Sequence, residues 1–265
     1  MVQGSREVHR SAIHPDRLVF LGHSTAMIEI GGVRLLTDPL LRGRVAHLRR
    51  QVPAVDMKVC ADPAAVLISH LHHDHLDLPS LRTLGRGTPL IVPRGAGGWL
   101  GSRGFTDVSE MGVGDTVHVG SVGVTAMPAD HDGSRSPRVV RAQALGYVLR
   151  GTSAVYFAGD TGIFDEMSSM APDLDVALLP VAGWGPTLGP GHMDPLEAAR
   201  AAALLQPKVA VPIHWGTLLP IGIASRHRAS LGEPPRRFAA ELARLAPGVE
   251  VRVLEPGQAM ELEKF

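Results

Sequence analysis

Cysteine is almost absent from this sequence. Cys60 is the only one among 265 residues. A single thiol excludes an intrachain disulfide bond and any metal site that needs several thiolate ligands. A lone cysteine is most often a small buried apolar residue, and we expect Cys60 to be one.

The sequence also lacks a net charge and a long apolar run. Lysine plus arginine and aspartate plus glutamate number 26 each, so no overall field favours nucleic acid or an anionic membrane surface. No segment reaches the roughly 18 apolar residues that cross a bilayer, and the first ten residues contain no apolar leader core. We therefore expect a soluble, cytoplasmic protein with no nucleic-acid or membrane partner; a homo-oligomer stays open.

Apolar segments bounded by glycine, proline and aspartate recur along the whole chain, which favours one domain over residues 1–265. Hairpins come first in each half, as at Gly31-Gly32, and strand–helix units follow. Such strands could be buried in two mixed β-sheets flanked by helices, an α/β (α+β) fold. The predicted strands include 17–22, 25–30, 33–38, 64–69, 175–180, 208–213 and 249–255; the predicted helices are 78–85, 163–170, 195–206 and 236–246; residues 39–62 are predicted as a loop.

The stretch LISHLHHDHLD, residues 67–77, places four histidines and two aspartates behind an apolar strand. If the backbone is extended at His70 and His72, both imidazoles project to one side and can reach one cation. Asp74 and His75 follow where the chain turns, and they would face a second cation. Imidazole and carboxylate ligands suit Zn²⁺ or Mn²⁺. His73 is the one histidine of this stretch that we do not expect to be a ligand. We expect it to be exposed or to lie behind the ligands.

Three later residues complete such a set. His131, Asp160 and His214 each follow an apolar strand and precede a glycine by no more than two positions. Glycine lets the backbone turn sharply there, and loops at strand ends commonly carry functional side chains. Any one of them alone would be an ordinary cap or surface residue.

Together these residues resemble the metallo-β-lactamase fold hydrolases. The resemblance covers nearly the whole chain and implies a four-layer αβ/βα sandwich with a two-metal site at one edge of the sheets. It further implies that His70, His72 and His131 hold the first metal, that Asp74, His75 and His214 hold the second, and that Asp160 bridges them.

Finer motifs resemble one subgroup, which includes L-ascorbate-6-phosphate lactonase and N-acyl-phosphatidylethanolamine phospholipase D. They are FLGHSTAMIEIGG, LTDP, GHMDPLEAARAA and IHWGT. In the phospholipase pattern the histidine of an H-x-D-P segment reaches the active site, and here that residue is His192. We expect neither the long membrane-binding extension of the animal phospholipase nor the large inserted nuclease domain of some RNA-processing relatives, which argues against a membrane lipid as substrate and against the nuclease branch.

The chemistry expected of such a site is hydrolysis by a metal-bridging hydroxide. Two divalent ions roughly 3.5–4 Å apart can share a water and lower its pKa from 15.7 toward about 7. Asp160, Asp74 and His192 are the candidate catalytic residues. His192 would stabilise an oxyanion or protonate the leaving group; alternatively, it is a loop histidine that interacts with Asp194.

Two further residues are expected near the site. Asp38 would orient a metal-bound imidazole or, equally well, cap a turn. His23 would lie beside the site or pack in the first hairpin. Asp194, Pro195 and Glu197 form a typical start for the helix at 195–206.

Substrate recognition is poorly defined by the sequence. Arg42, Arg44, Arg49 and Arg50 could receive a phosphate or carboxylate, as could the group Arg226, His227 and Arg228, but either could equally be a solvated surface. Trp184 could belong to a wall of the active site, and the irregular apolar segment 218–224 could line a pocket.

Three functions stay open on the sequence alone. The first, which we favour, is a binuclear metal-dependent hydrolase of a small-molecule ester, lactone or phosphodiester, with Zn²⁺ as the first choice of metal and Mn²⁺ as the second. The second is a metallo-nuclease, which the balanced charge disfavours. The third is a non-catalytic metal-binding scaffold, which the complete ligand set disfavours.

Overall fold

The structure is a computed structural model that describes residues 15–136, 139–183, 188–222 and 231–262. Trp184, Arg226, His227 and Arg228, for which the sequence suggests substrate contacts, lie outside these residues.

The first large sheet contains seven strands in the order β17-β1-β2-β3-β6-β7-β8. Its strands are β1 (Arg17–Gly22), β2 (Thr25–Ile30), β3 (Val33–Thr37), β6 (Ala65–Leu67), β7 (Leu90–Pro93), β8 (Val108–Met111) and β17 (Ala259–Glu261). The pairs from β17 to β3 are antiparallel and those from β3 to β8 are parallel.

The second large sheet repeats this plan in the order β16-β14-β13-β12-β11-β10-β9. Its strands are β9 (Thr116–Val119), β10 (Val122–Pro128), β11 (Leu145–Arg150), β12 (Ala154–Phe157), β13 (Val176–Pro180), β14 (Val209–Ile213) and β16 (Glu250–Val251). Antiparallel hairpins come first along the chain and parallel strands follow. The prediction of hairpins followed by strand–helix units in each half is confirmed.

Within the part of the chain that the structure describes, four α-helices cover the outer faces of the sheets. They are α1 (Leu78–Leu84), α2 (Gly97–Gly101), α3 (Pro195–Leu205) and α4 (Glu233–Leu245). Leu81 of α1 and Leu100 of α2 pack with one face of the first sheet. The other face shares a core with the second sheet, α3 and α4. The layers therefore run helix, sheet, sheet, helix, and the predicted two mixed sheets flanked by helices are confirmed.

Several boundaries differ from the predictions. Residues 39–62 are not all loop, because β4 (Arg44–Val45) and β5 (Leu48–Arg50) form a small sheet with β15 (Leu218–Pro220). The buried side chains Leu40, Val45, Leu48 and Leu218 hold this sheet together. The start of the supposedly irregular segment 218–224 is thus a strand.

Two predicted elements are shorter than expected. The strand predicted at 249–255 is only Glu250–Val251, because it pairs with β14 at just two positions on the sheet edge. The helix predicted at 163–170 is a 3₁₀ helix over Asp165–Ser168. In contrast, α3 begins as predicted: Asp194 accepts a hydrogen bond from the Glu197 amide and the Glu197 carboxylate accepts one from the Asp194 amide.

Candidate metal centre

The candidate site residues gather at the ends of strands from both sheets. His70 follows β6 and Asp160 follows β12, while His214 directly follows β14. All three belong to the parallel halves of the sheets, whose carboxyl ends are the usual position of binding sites in such folds. The fold therefore brings together residues far apart in sequence.

The first group consists of His70, His72 and His131. His70 Nε2 lies 3.0 Å from His72 Nδ1, and His131 Nε2 lies 3.2 Å from the same atom. Three imidazole nitrogens thus converge on one small volume, in the grouping that the resemblance to the metallo-β-lactamase fold hydrolases implies.

The second group consists of Asp74, His75 and His214, and His23 joins it. One ligand atom from each of the four lies within 4.8 Å of the others. His75 Nε2 is 3.3 Å from His214 Nε2, and Asp74 Oδ2 is 3.8 Å from His75 Nε2. His23 lies beside the site, because its buried ring contacts Asp74 and His214, so it does more than pack in the first hairpin.

Asp160 lies between the two groups. Its Oδ2 is 3.9 Å from His70 Nε2 in the first group, and 3.1 Å and 3.3 Å from the Nε2 atoms of His75 and His214 in the second. Its Oδ1 is buried and has no hydrogen-bond partner among the described residues. A buried carboxylate oxygen without a partner is costly, which indicates that a cation belongs beside it.

His192 lies over this cluster and not against Asp194. Its Nε2 is 3.4 Å from Asp160 Oδ2, and its ring meets the His131 ring edge-on at a centroid distance of 4.7 Å. Asp194 instead caps α3. The His192 side chain is 22% exposed, whereas that of His214 is 1% exposed. His192 therefore lies at the solvent side of the cluster.

Outer hydrogen bonds fix the direction of most of these rings. His131 Nδ1 lies 2.9 Å from the Gly191 carbonyl oxygen, and His214 Nδ1 lies 2.7 Å from that of Ala182. Each Nδ1–H can donate outward, which leaves a lone pair on the inward Nε2. This arrangement is the usual support of a metal-binding histidine, so the rings fit a metal site.

Asp38 supports one histidine of each group. Its Oδ2 accepts from His75 Nδ1 at 2.7 Å and from Ser69 Oγ at 2.5 Å. Ser69 Oγ lies 3.0 Å from His70 Nδ1, so Asp38 reaches the first group through this hydroxyl. The interpretation of Asp38 as an acceptor that orients an imidazole is confirmed. Asp38 is fully buried with φ +33°, a conformation that surrounding contacts must hold in place.

Burial keeps most of the imidazoles neutral. It lowers the pKa of His131 to about 4 and that of His214 to about 3, and it holds the pKa of His70 well below the ordinary value. Burial also opposes a charge on His75, but the carboxylates of Asp160 and Asp74 outweigh it and hold its pKa well above the ordinary value.

The two carboxylates stay ionised despite burial. Burial raises the pKa of Asp160, but His214 and His75 outweigh it and hold this pKa well below its usual range. Asp74 behaves in the same way, with His75 and His23 as the main causes. The pocket therefore combines two anionic carboxylates with imidazoles that are neutral except for His75. Because neutral histidine is the form that binds metal, a cation held by His75 would displace its proton.

Two of the four arginines for which the sequence left open an anion-binding role have partners within the fold. Arg42 makes two hydrogen bonds to the buried carboxylate of Asp77, at 2.9 and 2.7 Å. Arg50 donates to the backbone carbonyl oxygens of Leu21 and Pro53. Since these guanidinium groups are already engaged, the Arg42–Arg50 group does not form one free cationic surface.

Some supporting residues are absent from the sequence predictions. Ser69 directly precedes His70, so its hydroxyl could have been considered, but nothing local shows that it bridges to Asp38. Apart from the glycine itself, nothing in the sequence indicates that the backbone carbonyl of Gly191 contacts His131. His73 is exposed, as expected, and its Nδ1 lies 2.7 Å from an Arg135 nitrogen.

Comparison with known proteins agrees with this geometry. Residues 33–215 match the family described as the beta-lactamase superfamily domain. A UPF0173 metal-dependent hydrolase from Methanopyrus kandleri is 34% identical over 251 residues, covering 92% of this chain and 99% of that protein. The N-acyl-phosphatidylethanolamine-hydrolyzing phospholipase D 1 of Caenorhabditis elegans is 28% identical over 75% of this chain and 63% of its own length.

A solved structure extends the match. Igni18, a metallo hydrolase from Ignicoccus hospitalis, aligns with a TM-score of 0.72 and 25% identity over 93% of this chain and 98% of its own. The chain belongs to the beta-lactamase superfamily domain family, and it is a metal-dependent hydrolase of the metallo-β-lactamase superfamily. Among the described residues, no helix is long and apolar enough to cross a membrane.

Proposed function

We propose that this cluster holds two divalent cations, Zn²⁺ in the first instance, and that the protein hydrolyses a small-molecule ester, lactone or phosphodiester. One observation carries the proposal. Asp160 Oδ2 is within 4 Å of histidine nitrogens from both groups, while its Oδ1 is buried without a partner among the described residues. A carboxylate in this position suits a bridge between two cations.

The ligand assignment follows the two groups. His70, His72 and His131 would hold the first cation, and Asp74, His75 and His214 would hold the second, with Asp160 shared. Imidazole and carboxylate donors are compatible with Zn²⁺ and with Mn²⁺. When bound, such a pair of cations activates water near neutral pH and polarises the oxygen of the group under attack.

The chain's own side chains would orient the two groups of candidate ligands and transfer a proton. Asp160, held by His75 and His214, fixes the geometry between the two groups. His192 Nε2 faces Asp160 from the solvent side, where it can hold a proton and give it to a leaving group. Gly189 and Pro190 carbonyl oxygens, 3.1 and 3.2 Å from His192 Nδ1, keep that ring in place.

A small-molecule substrate is supported by two observations. The chain has no net charge that would attract a polyanion. The Caenorhabditis elegans relative is named an N-acyl-phosphatidylethanolamine-hydrolyzing phospholipase D, and the bond that a phospholipase D cleaves is a phosphodiester. A phosphodiester is therefore the first substrate class to test, and a lactone the second.

The test is hydrolysis by the full-length protein loaded with Zn²⁺ or with Mn²⁺, measured on a panel of phosphodiesters and lactones. Asp160→Asn and His192→Ala should each lower kcat by about 10²-fold or more, because each removes a group placed against the reacting centre. Asp165→Asn, at an exposed position of the 3₁₀ helix, is the matched control and should keep the parent rate. Equal rates for all these proteins would overturn the proposal.

A further inference from the structure

His23 is a buried histidine that none of the ligand assignments uses. It lies in the turn between β1 and β2, with 1% of its surface exposed. Its φ is +58°, in the left-handed region that disfavours residues with a β-carbon. Glycine or asparagine would suit this turn better. A histidine kept in such a conformation indicates that its contacts matter.

The backbone of His23 is joined to the loop that carries His214. The His214 amide donates to the His23 carbonyl oxygen at 2.8 Å. The His23 amide donates to Thr217 Oγ1 at 2.7 Å. The turn and the loop therefore hold each other in one arrangement.

The imidazole of His23 contacts Asp74 more closely than the two predicted co-ligands of Asp74 do. His23 Nε2 lies 3.0 Å from Asp74 Oδ2, whereas the Nε2 atoms of His75 and His214 lie 3.8 and 4.0 Å from it. The His23 ring also packs on the His214 ring at a centroid distance of 4.0 Å. The ring thus fixes one carboxylate and one imidazole of the second group.

We propose that His23 is a positioning residue for the second cation. Its Nε2–H donates to Asp74 Oδ2 and holds the carboxylate toward His75 and His214, so that the second group is preformed before a cation arrives. This inference rests on the proposed function, because it concerns one of two cation positions. It is specific to the second group, since the described contacts of the His23 ring do not include His72 or His131.

The proposal predicts an effect on one binding step only. Residues that support metal ligands in this way typically contribute about 10- to 100-fold to metal affinity. His23→Asn should weaken the binding of one Zn²⁺ ion by about that factor and leave the other unchanged. Asparagine tolerates the left-handed backbone conformation, so the fold should be retained. Its side chain is too short to reach Asp74, so the hydrogen bond to that carboxylate is lost.

The matched rescue is His23→Gln, whose longer side chain can place an amide donor near the position of Nε2. It should restore most of the lost affinity. His118→Asn is the control for the loss of a histidine, because His118 is exposed on β9, outside the cluster. The measurement is a Zn²⁺ titration of each full-length protein against a chromophoric chelator, with circular dichroism to compare the folds.

The outcomes separate the two proposals. If the parent protein saturates with fewer than two Zn²⁺ ions, the two-cation function fails and this inference fails with it. If the parent binds two ions and His23→Asn binds them with the same two affinities, only the role of His23 is overturned. His23→Gln binding as weakly as His23→Asn would also overturn it, because a donor to Asp74 would then not be what matters.

Discussion

Asp38 and His75 form a fully buried pair in which Oδ2 of the carboxylate accepts from Nδ1 of the imidazole at 2.7 Å. The same carboxylate accepts from the Ser69 amide and hydroxyl, and the hydroxyl in turn contacts His70. Because His75 and His70 belong to different groups of the metal centre, one buried residue supports both.

Asp38→Ala should therefore weaken both the fold and the site. It removes the acceptor of His75 and of Ser69 inside the protein, and breaking a buried pair of this kind costs about 3 to 5 kcal/mol of unfolding free energy. The affinity for Zn²⁺ should fall for both ions. Urea denaturation and a Zn²⁺ titration measure the two effects. Asp165→Ala is the control, since Asp165 is exposed, and a similar response from the two variants would contradict this account.

Local patterns in the sequence single out the candidate ligands, whereas their division into two groups comes from the resemblance to the metallo-β-lactamase fold hydrolases. Four candidates lie within His70–His75, and the remaining three each follow a predicted strand. The order of hairpins first and strand–helix units afterwards in each half is likewise visible in the sequence. The carboxyl ends of parallel strands meet at one edge, which brings together the candidate ligands that follow β6, β12 and β14. This rule does not cover His131, because β10 pairs with antiparallel strands.

The supporting contacts could not be predicted in this way. His23 and Asp74 are 51 positions apart, and Arg42 and Asp77 are 35 apart. Whether an arginine faces solvent or ties a buried carboxylate depends on the packing of separate segments, which no local pattern records. The sequence left open whether Arg42 and Arg50 receive an anion or face solvent, and their contacts with Asp77, Leu21 and Pro53 could not be inferred from it.

The metal-free protein should lose stability as the pH falls from about 6.5 toward about 4. Burial lowers the pKa of His70, His72, His131 and His214 below the unfolded value of about 6.5, so the unfolded chain binds protons in this window that the folded protein does not. The raised pKa of His75 does not change the free energy of unfolding in this window. Protonation of His75 stabilises the folded protein, and this stabilisation is already fully present below the unfolded pKa of about 6.5.

Urea denaturation of the chelator-treated protein between about pH 7 and about pH 5 tests this expectation. The free energy of unfolding should decrease steadily as the solution is acidified. His131→Gln removes one of the four groups and should make the dependence shallower. A stability that stays constant or rises on acidification would show that these imidazoles are not held neutral in the folded protein.

Cys60 should be unreactive in the native protein. Its side chain is fully buried, and burial raises the pKa of its thiol to about 11. The thiolate is the reactive form, and near pH 8 it would account for only about a thousandth of the thiol. Ellman's reagent should therefore label no cysteine in the folded protein and one per chain after denaturation in urea. Rapid labelling without denaturant would mean that Cys60 is accessible.

Gly191 should be required for the first group of the metal centre. It has φ +72°, and a β-carbon there would lie 2.7 Å from the Asp130 carbonyl oxygen and 2.9 Å from His131 Nδ1. Gly191→Ala should displace the carbonyl that holds the His131 ring and weaken Zn²⁺ binding by about 10-fold or more.

Gly32→Ala is a close control, because Gly32 has φ +80° but nothing within 4 Å of an added β-carbon. Both variants carry the same backbone strain, so both should lower the melting temperature, and only Gly191→Ala should lower the metal affinity. If the two variants bind Zn²⁺ equally well, the Gly191 carbonyl does not position His131.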